Sequence, residues 1–179
     1  MLLCFLIPAI VLAQHQEVSE RPEMYKGRDI DSADSRSVLG AFKSGRVQGH
    51  FRYFNMITLN EKDLSDYYAN AAGGGLRFET AKFHNFQFGI SGFYIFNIGS
   101  SDMTIPDPKS GQYNRYEIGL FDLQNASNKK DIDRLEELYL KYNYKKSALI
   151  FGRQLLNTPF INLQDGRMRP TGVEGLWAE

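Results

Sequence analysis

The sequence is short of cysteine, of histidine and of any surplus charge, and each shortage closes a class of function. Its single cysteine, Cys4, stands in an apolar opening run, so no internal disulfide, cysteine-based metal site or thiol redox chemistry is expected. Export stays open, because a large sheet closed on itself needs no covalent staple. Lys plus Arg and Asp plus Glu both total 21, and the basic residues are scattered along the chain, which leaves no footprint for nucleic acid. His15, His50 and His84 stand far apart and in no ligand spacing, so neither a metal nor another cofactor is expected. Gly73, Gly74 and Gly75 lack the Lys-Ser/Thr of a phosphate loop and are read as easing packing at a strand start. Asp131, Asp133, Glu136 and Glu137 form an acidic cluster, read as solvated charge at a loop or helix entry rather than as paired catalytic carboxylates. Nothing nominates a nucleophile and its base, and the chain is not expected to be an enzyme.

What the chain has in abundance is aromatic: 13 Phe and 10 Tyr, while the mean hydropathy stays at -0.39. A composition at once aromatic and polar suits strands with one greasy and one wet face. The 179 residues suffice for one ordinary domain.

Residues 2–13 form an apolar run too short to span a bilayer as a helix, and Val11 and Ala13 offer small residues at the usual cleavage spacing. A signal peptide over 1–13 is therefore expected, although no Lys or Arg precedes the run; a buried N-terminal strand or helix is the competing reading. Leu3, where a small residue belongs, argues against Cys4 as a lipoprotein cysteine. Residues 14–36 are polar and without period, a flexible lead-in, and 37–43 suit one or two helical turns.

From Gly45 the dominant period is two, and five strands with the start of a sixth are predicted. In the first, Val47, Gly49, Phe51 and Tyr53 oppose Arg46, Gln48, His50 and Arg52. In the second, over 71–80, Leu76 and Phe78 oppose Arg77 and Glu79. In the third, Phe86, Phe88, Ile90, Gly92, Tyr94 and Phe96 oppose Gln87, Gly89, Ser91 and Asn97, with Phe93 and Ile95 as exceptions. The fourth sets Leu138, Leu140, Tyr142 and Tyr144 against Tyr139, Lys141 and Asn143; Ile132, Leu135, Leu138, Tyr139 and Tyr142 also fit an amphipathic helix. The fifth spans 148–154. Tight turns at 82–85 and 145–147 alternate with longer connections, including 98–131 and 155–171, which is the habit of outer-membrane barrels. Runs of about ten residues match a tilted membrane strand, and in lipid such strands are viable only in a closed cylinder. Strand parity would then place Arg46, Gln48, Arg52, Arg77, Glu79 and Lys141 toward a water-filled lumen, and a solvated face of a soluble sheet follows from the same parity; Arg153 is also expected to line the pore, although the fifth strand is too short for parity to assign its side.

The stretches IFGRQ, NTPFINLQDGRMRP and GVEG, within residues 149–175, resemble the OprD-type family of outer-membrane porins, with Gly152, Arg153, Gln154, Pro159, Asp165, Arg167, Arg169, Pro170 and Gly175 in corresponding places. Weaker similarity extends back through GRVQGHFRYF, DYYANAAGGGLRFET and FGISGFYIFN, so that it covers 37–179. The resemblance implies an all-β transmembrane antiparallel barrel of about eighteen strands. Its implied function is passive diffusion of small hydrophilic solutes, often carboxylates, across the outer membrane of a diderm bacterium. It also implies a loop bending into the channel, in which Asp165, Arg167 and Arg169 are the expected constriction. On this reading the chain holds only the N-terminal strands and lacks a closing aromatic, so a gene fragment or split reading frame is expected. The implied partners are outer-membrane lipid and, for the full-length protein, the barrel-assembly machinery. The alternative from the strand pattern alone is a small secreted β-barrel that turns its aromatic faces inward around an apolar ligand.

Overall fold

The computed structural model describes residues 35–122, 124–128, 132–156, 158, 160–161, 165–166, 169–170 and 172–179. The expected signal peptide and nearly all of the lead-in lie outside the described residues. Among those described, the protein is an antiparallel sheet with almost no helix: α1 (Val38–Lys43), β1 (Arg46–Thr58), β2 (Tyr67–Glu79), β3 (Phe86–Ser100), a 3-10 turn (Glu117–Leu120), β4 (Ile132–Tyr144), β5 (Ser147–Gln154), β6 (Asp165–Gly166), β7 (Arg169–Pro170) and β8 (Val173–Ala178). The main sheet runs β1-β2-β3-β4-β5-β8, each strand beside its predecessor, with β6 and β7 paired in a small hairpin within the last connection. It is open, with β1 and β8 at its edges.

The sequence places the turns for physical reasons. His84 and Asn85 both have positive φ, and Phe83 and Phe86 exchange backbone hydrogen bonds of 2.9 Å across them. That is the two-residue hairpin whose twist matches the flanking strands. Lys145, with φ 53°, makes the corresponding tight link between β4 and β5. Both tight turns lie at one end of the sheet, and the Asn143 N–H donating to the Asn85 carbonyl at 2.9 Å draws them together. Helix α1, capped by the Ser37 hydroxyl accepting from the Gly40 N–H at 3.0 Å, is tied to this end by Ala81 N–H to the Ala41 carbonyl, 3.0 Å. The connections after β1, β3 and β5 all lie at the opposite end.

Strands 1 to 4 are longer than the alternation alone delimits. The second begins at Tyr67 rather than at 71, and the third continues to Ser100, shortening the long connection. The fourth begins at Ile132, so the helical reading of that segment gives way to strand. The reason is a β-bulge: register passes from Ser91↔Glu137 to Gly92↔Leu135, leaving Glu136 as the extra residue. A bulge makes apolar residues recur at three, Leu135 to Leu138, within a strand that otherwise recurs at two, and that spacing imitates a helix.

The two faces of the sheet differ sharply in exposure. One, called here the open face, carries Val47, Phe51, Tyr53, Leu76, Ile90, Tyr94, Phe96, Leu138, Leu140, Phe151 and Leu176, all exposed, with Phe51 at 73% and Leu76 at 68%. The other, the sheltered face, buries Gln87, Ser91, Phe93, Ile95, Glu137 and Tyr139. Among the described residues, the buried apolar cluster lies on the sheltered face at the long-loop end. There Met103, Leu120 and Phe121 from the β3–β4 connection pack on Ala69, Ala71, Phe93 and Ile95. Phe93 and Ile95, the two exceptions to alternation in β3, are thus the seat of that connection, which folds back onto the sheltered face.

Candidate functional site

The sheltered face divides into an apolar half beneath the β3–β4 connection and a polar half toward the tight turns. At the boundary, His50, Gly75 and Phe93 are register partners on β1, β2 and β3, and the His50 and Phe93 rings stack at 5.4 Å across the glycine. A Cβ at Gly75 would stand 2.4 Å from His50 Cε1, so only glycine leaves room for the stack. The Gly73-Gly75 run is therefore central in β2 and serves close packing there, not the strand's start.

The polar half is a connected network. Register aligns Gln48, Arg77, Ser91 and Glu137 in one row and Arg46, Glu79, Gly89 and Tyr139 in the next. Arg77 Nε lies 3.0 Å from Glu137 Oε2, and its Nη2 lies 3.3 Å from Glu79 Oε2 and donates to the Tyr139 hydroxyl at 2.8 Å. The Tyr139 hydroxyl donates in turn to Glu79, with its ring lying over Gly89, where a Cβ would meet ring carbon Cζ at 2.2 Å. Gln87 Nε2 donates to the Thr80 carbonyl at 3.1 Å, and Asn143 Nδ2 donates to Gln87 Oε1 at 2.9 Å. Ion pairs this sheltered are held in place by desolvation: removing one partner costs far more than forming the pair contributes.

Of the residues read from sequence as lining a pore, Arg77 and Glu79 are brought together in this network. Gln48 and Arg52 are half-buried on the same face, and Arg46 is exposed where β1 begins. Lys141 lies on the sheltered row opposite Gln87, its Nζ 4.0 Å from Glu179 Oε1. Arg153 follows Gly152, whose φ of 121° interrupts the regular strand, and is half-buried with Nε 3.4 Å from the place a Cβ would take on Gly172. Of the expected constriction, Asp165 and Arg169 belong to the β6–β7 hairpin, with Asp165 paired to Pro170 and Gly166 to Arg169; Arg167 lies outside the described residues.

Sequence reasoning missed Glu136 and Glu137. They are not solvated charges at a loop entry but strand residues, 0% and 4% exposed, because the bulge turns two consecutive carboxylates toward the sheltered face. The three-residue step from Leu135 to Leu138 is the signal that could have found them. Tyr139, assigned to the correct face, was not seen as the bridge between Arg77 and Glu79.

A second polar feature ties the long-loop end together. Asp107 accepts from the backbone N–H groups of Ser110 and Ser65, each at 2.6 Å, and these hold its carboxyl well below the usual carboxylate range. Glu117, fully buried, accepts from the Thr58 hydroxyl and from Asn114 Nδ2. Both carboxylates are thereby used to fasten the β3–β4 connection to β1 and to the β1–β2 loop. Between these segments lies a cleft of about 160 Å³ lined by Tyr67, Tyr113, Arg115 and Tyr116 among others.

No metal-holding group of three or more His, Cys, Asp or Glu occurs among the described residues, and none of their helices is long and apolar enough to cross a membrane. Comparison with protein-family models, with characterised proteins and with solved structures gives no match for this chain.

Proposed function

We propose that this chain forms part of the wall of an outer-membrane porin, a passive channel for small hydrophilic solutes. The observation that carries the reading is the distribution of exposure. Aromatic and aliphatic side chains crowd the open face, while Arg77, Glu79, Glu137 and Gln87 gather on the sheltered one. In water that arrangement is inside out, and contiguous exposed apolar surface on this scale marks contact with another phase or partner. In a barrel it is the required order, apolar toward lipid and polar toward the lumen.

Strand length supports the same reading. β1, β2 and β4 each have 13 residues. At roughly 3.3 Å per residue they reach about 43 Å, which at a barrel tilt of about 45° projects to about 30 Å, the thickness of the hydrocarbon layer. Aromatics stand at both margins of the open face, Tyr68 at the long-loop side and Phe86, Tyr142 and Tyr144 at the tight-turn side, with Tyr53, Tyr94 and Phe96 nearer the middle. Girdles of this kind sit at the two interfaces of a bilayer. Among the described residues the outer edges of β1 and β8 have no strand beside them, and since lipid satisfies no backbone group, in a membrane these edges would need partners. The resemblance to OprD-type porins points the same way and adds Asp165, Arg167 and Arg169 as the constriction.

Two measurements test the proposal. A tryptophan placed at Phe88 should be quenched by lipids brominated in their acyl chains, and one placed at Gln87 should not; quenching at Gln87 alone would reverse the faces and sink the pore. The product of the complete gene, inserted into planar bilayers, should show discrete conductance steps. Neutralising Arg167 and Arg169 together should lower its anion preference, and an unchanged reversal potential would remove the constriction role. An apolar ligand bound within the sheet, as a secreted barrel requires, would call for aromatics on the sheltered face, and most lie on the open one.

A further inference from the structure

The chain is electrically balanced as a whole, but among the described residues the charges are sorted by end. Among the described residues at the long-loop end, Glu61, Asp63, Asp66, Asp102, Asp107 and Asp122 outweigh Lys62, Lys109 and Arg115. At the tight-turn end, where the exposed Glu179 is hydrogen-bonded to Ala148, the described cations outnumber the exposed carboxylates. Arg36, Lys43, Lys82, Lys145 and Lys146 come from three separate segments and are collected there by two contacts: α1 on the β2–β3 turn, and that turn on β4. Scattered in sequence, these cations form a rim in space.

Apolar groups lie directly beside them. Val38, Leu39 and Phe42 of α1 are 55%, 64% and 47% exposed, and the Phe42 ring stacks on Phe78 at 6.0 Å and on Phe88 at 6.3 Å, both members of the open face. The Lys145 ammonium lies 5.3 Å above the exposed Tyr144 ring. The greasy band therefore continues onto α1 and ends in a fringe of ammonium and guanidinium groups. That sequence of chemistries is the profile of a surface entering the acyl boundary with its cations at phosphate level.

We infer that the tight-turn rim docks on anionic phospholipid head groups, with α1 as an interfacial anchor and Lys43, Lys145 and Lys146 reaching the phosphates. The described residues of the opposite rim are acidic on balance and unsuited to such a surface, so the preference also bears on which end of the sheet faces the phospholipid leaflet. This rests on the membrane reading above, in that it places the open face in acyl chains.

The test is co-flotation of the full chain with vesicles of phosphatidylcholine alone and of phosphatidylcholine mixed with phosphatidylglycerol. A clear preference for the mixed vesicles is expected, and it should fall as salt is raised. Lys145→Glu with Lys146→Glu should cut it roughly tenfold or more, each Lys near an anionic surface contributing about a fivefold factor. Lys62→Glu with Lys109→Glu, on the other rim, should leave it unchanged. The salt titration of the unaltered chain stands whether or not the charge-reversed variants fold. Equal binding to both vesicles, or equal loss from reversal at either rim, overturns the docking surface while leaving the membrane reading intact. Flotation with neither vesicle overturns both. Flotation with mixed vesicles only, in the absence of acyl-chain quenching at the open face, sustains the rim and overturns the buried face.

Discussion

The open and the sheltered faces of this sheet are made by the same strands, one residue apart, yet they obey opposite rules. On the open face, side chains are mostly apolar and their neighbours impose little, as the exposure of Phe51, Leu76 and Leu176 shows. On the sheltered face, identity is tied to partner: Arg77 needs Glu137, Tyr139 needs Gly89, and His50 and Phe93 need Gly75. The difference teaches where each kind of substitution will be felt.

The largest effect should come from breaking the open face. Leu138→Arg places a guanidinium at a position 42% exposed in the isolated sheet and midway along β4. In a bilayer this should cost about 2–4 kcal/mol, measured by reversible unfolding from lipid vesicles. A loss within about 0.5 kcal/mol, the usual scale for a water-facing surface, would mean that the face meets water. The contrast sharpens next on the sheltered side. Glu137→Leu strips Arg77 of its partner at 3.0 Å and should cost about 1.5–3 kcal/mol. Adding Arg77→Met should recover most of that loss, because an apolar pair removes the orphaned charge. If the double variant is no better than the single, Glu79 and Tyr139 already hold Arg77 and the pair is not the unit of the network.

A smaller effect belongs to the backbone that links the faces. At Gly152 a Cβ would stand 2.3 Å from the Leu138 carbonyl oxygen, and φ is 121°. Gly152→Ala should therefore destabilise by about 1–3 kcal/mol, read as a lower unfolding midpoint, with the damage localised to the β4–β5 pair. Unaltered stability would show that the strand can slip to a regular geometry, carrying Arg153 with it.

Much of this fold is legible in the sequence. Alternation assigned Val47 to Tyr53 and Phe86 to Phe96 to their faces, with Phe93 and Ile95 as exceptions, and the short polar breaks at 82–85 and 145–147 marked both hairpins, because period and its interruption are local properties. What stayed hidden was set by tertiary contact. The bulge at Glu136 has no local signature except a broken period that a helix shares. Phe93 and Ile95 look like errors of alternation until the β3–β4 connection is seen resting on them. The basic rim was invisible for the same reason: Arg36, Lys82 and Lys146 are remote in sequence, and only the turns bring them together.

The smallest predicted effect tests whether that connection is fastened independently of the strands that carry the open face. Asp107 lies in the loop, with its carboxyl pulled below the ordinary range by the N–H groups of Ser110 and Ser65. A carboxylate whose folded pKa is depressed contributes stability that is complete above its unfolded pKa, near about 4, and that is lost only as pH falls through the lower folded value. Amide exchange at Ser65 and Ser110, corrected for its intrinsic pH dependence, should therefore stay equally protected from neutrality down to about pH 5. Asp107→Asn should speed exchange at those two amides throughout that range while the unfolding midpoint of the sheet hardly moves, since the loop opens locally without disturbing the strand ladder. If the midpoint of the whole sheet falls with the loop, the apolar cluster around Phe93 and Ile95 is part of the wall's own stability, and the two halves of the sheltered face form one cooperative unit.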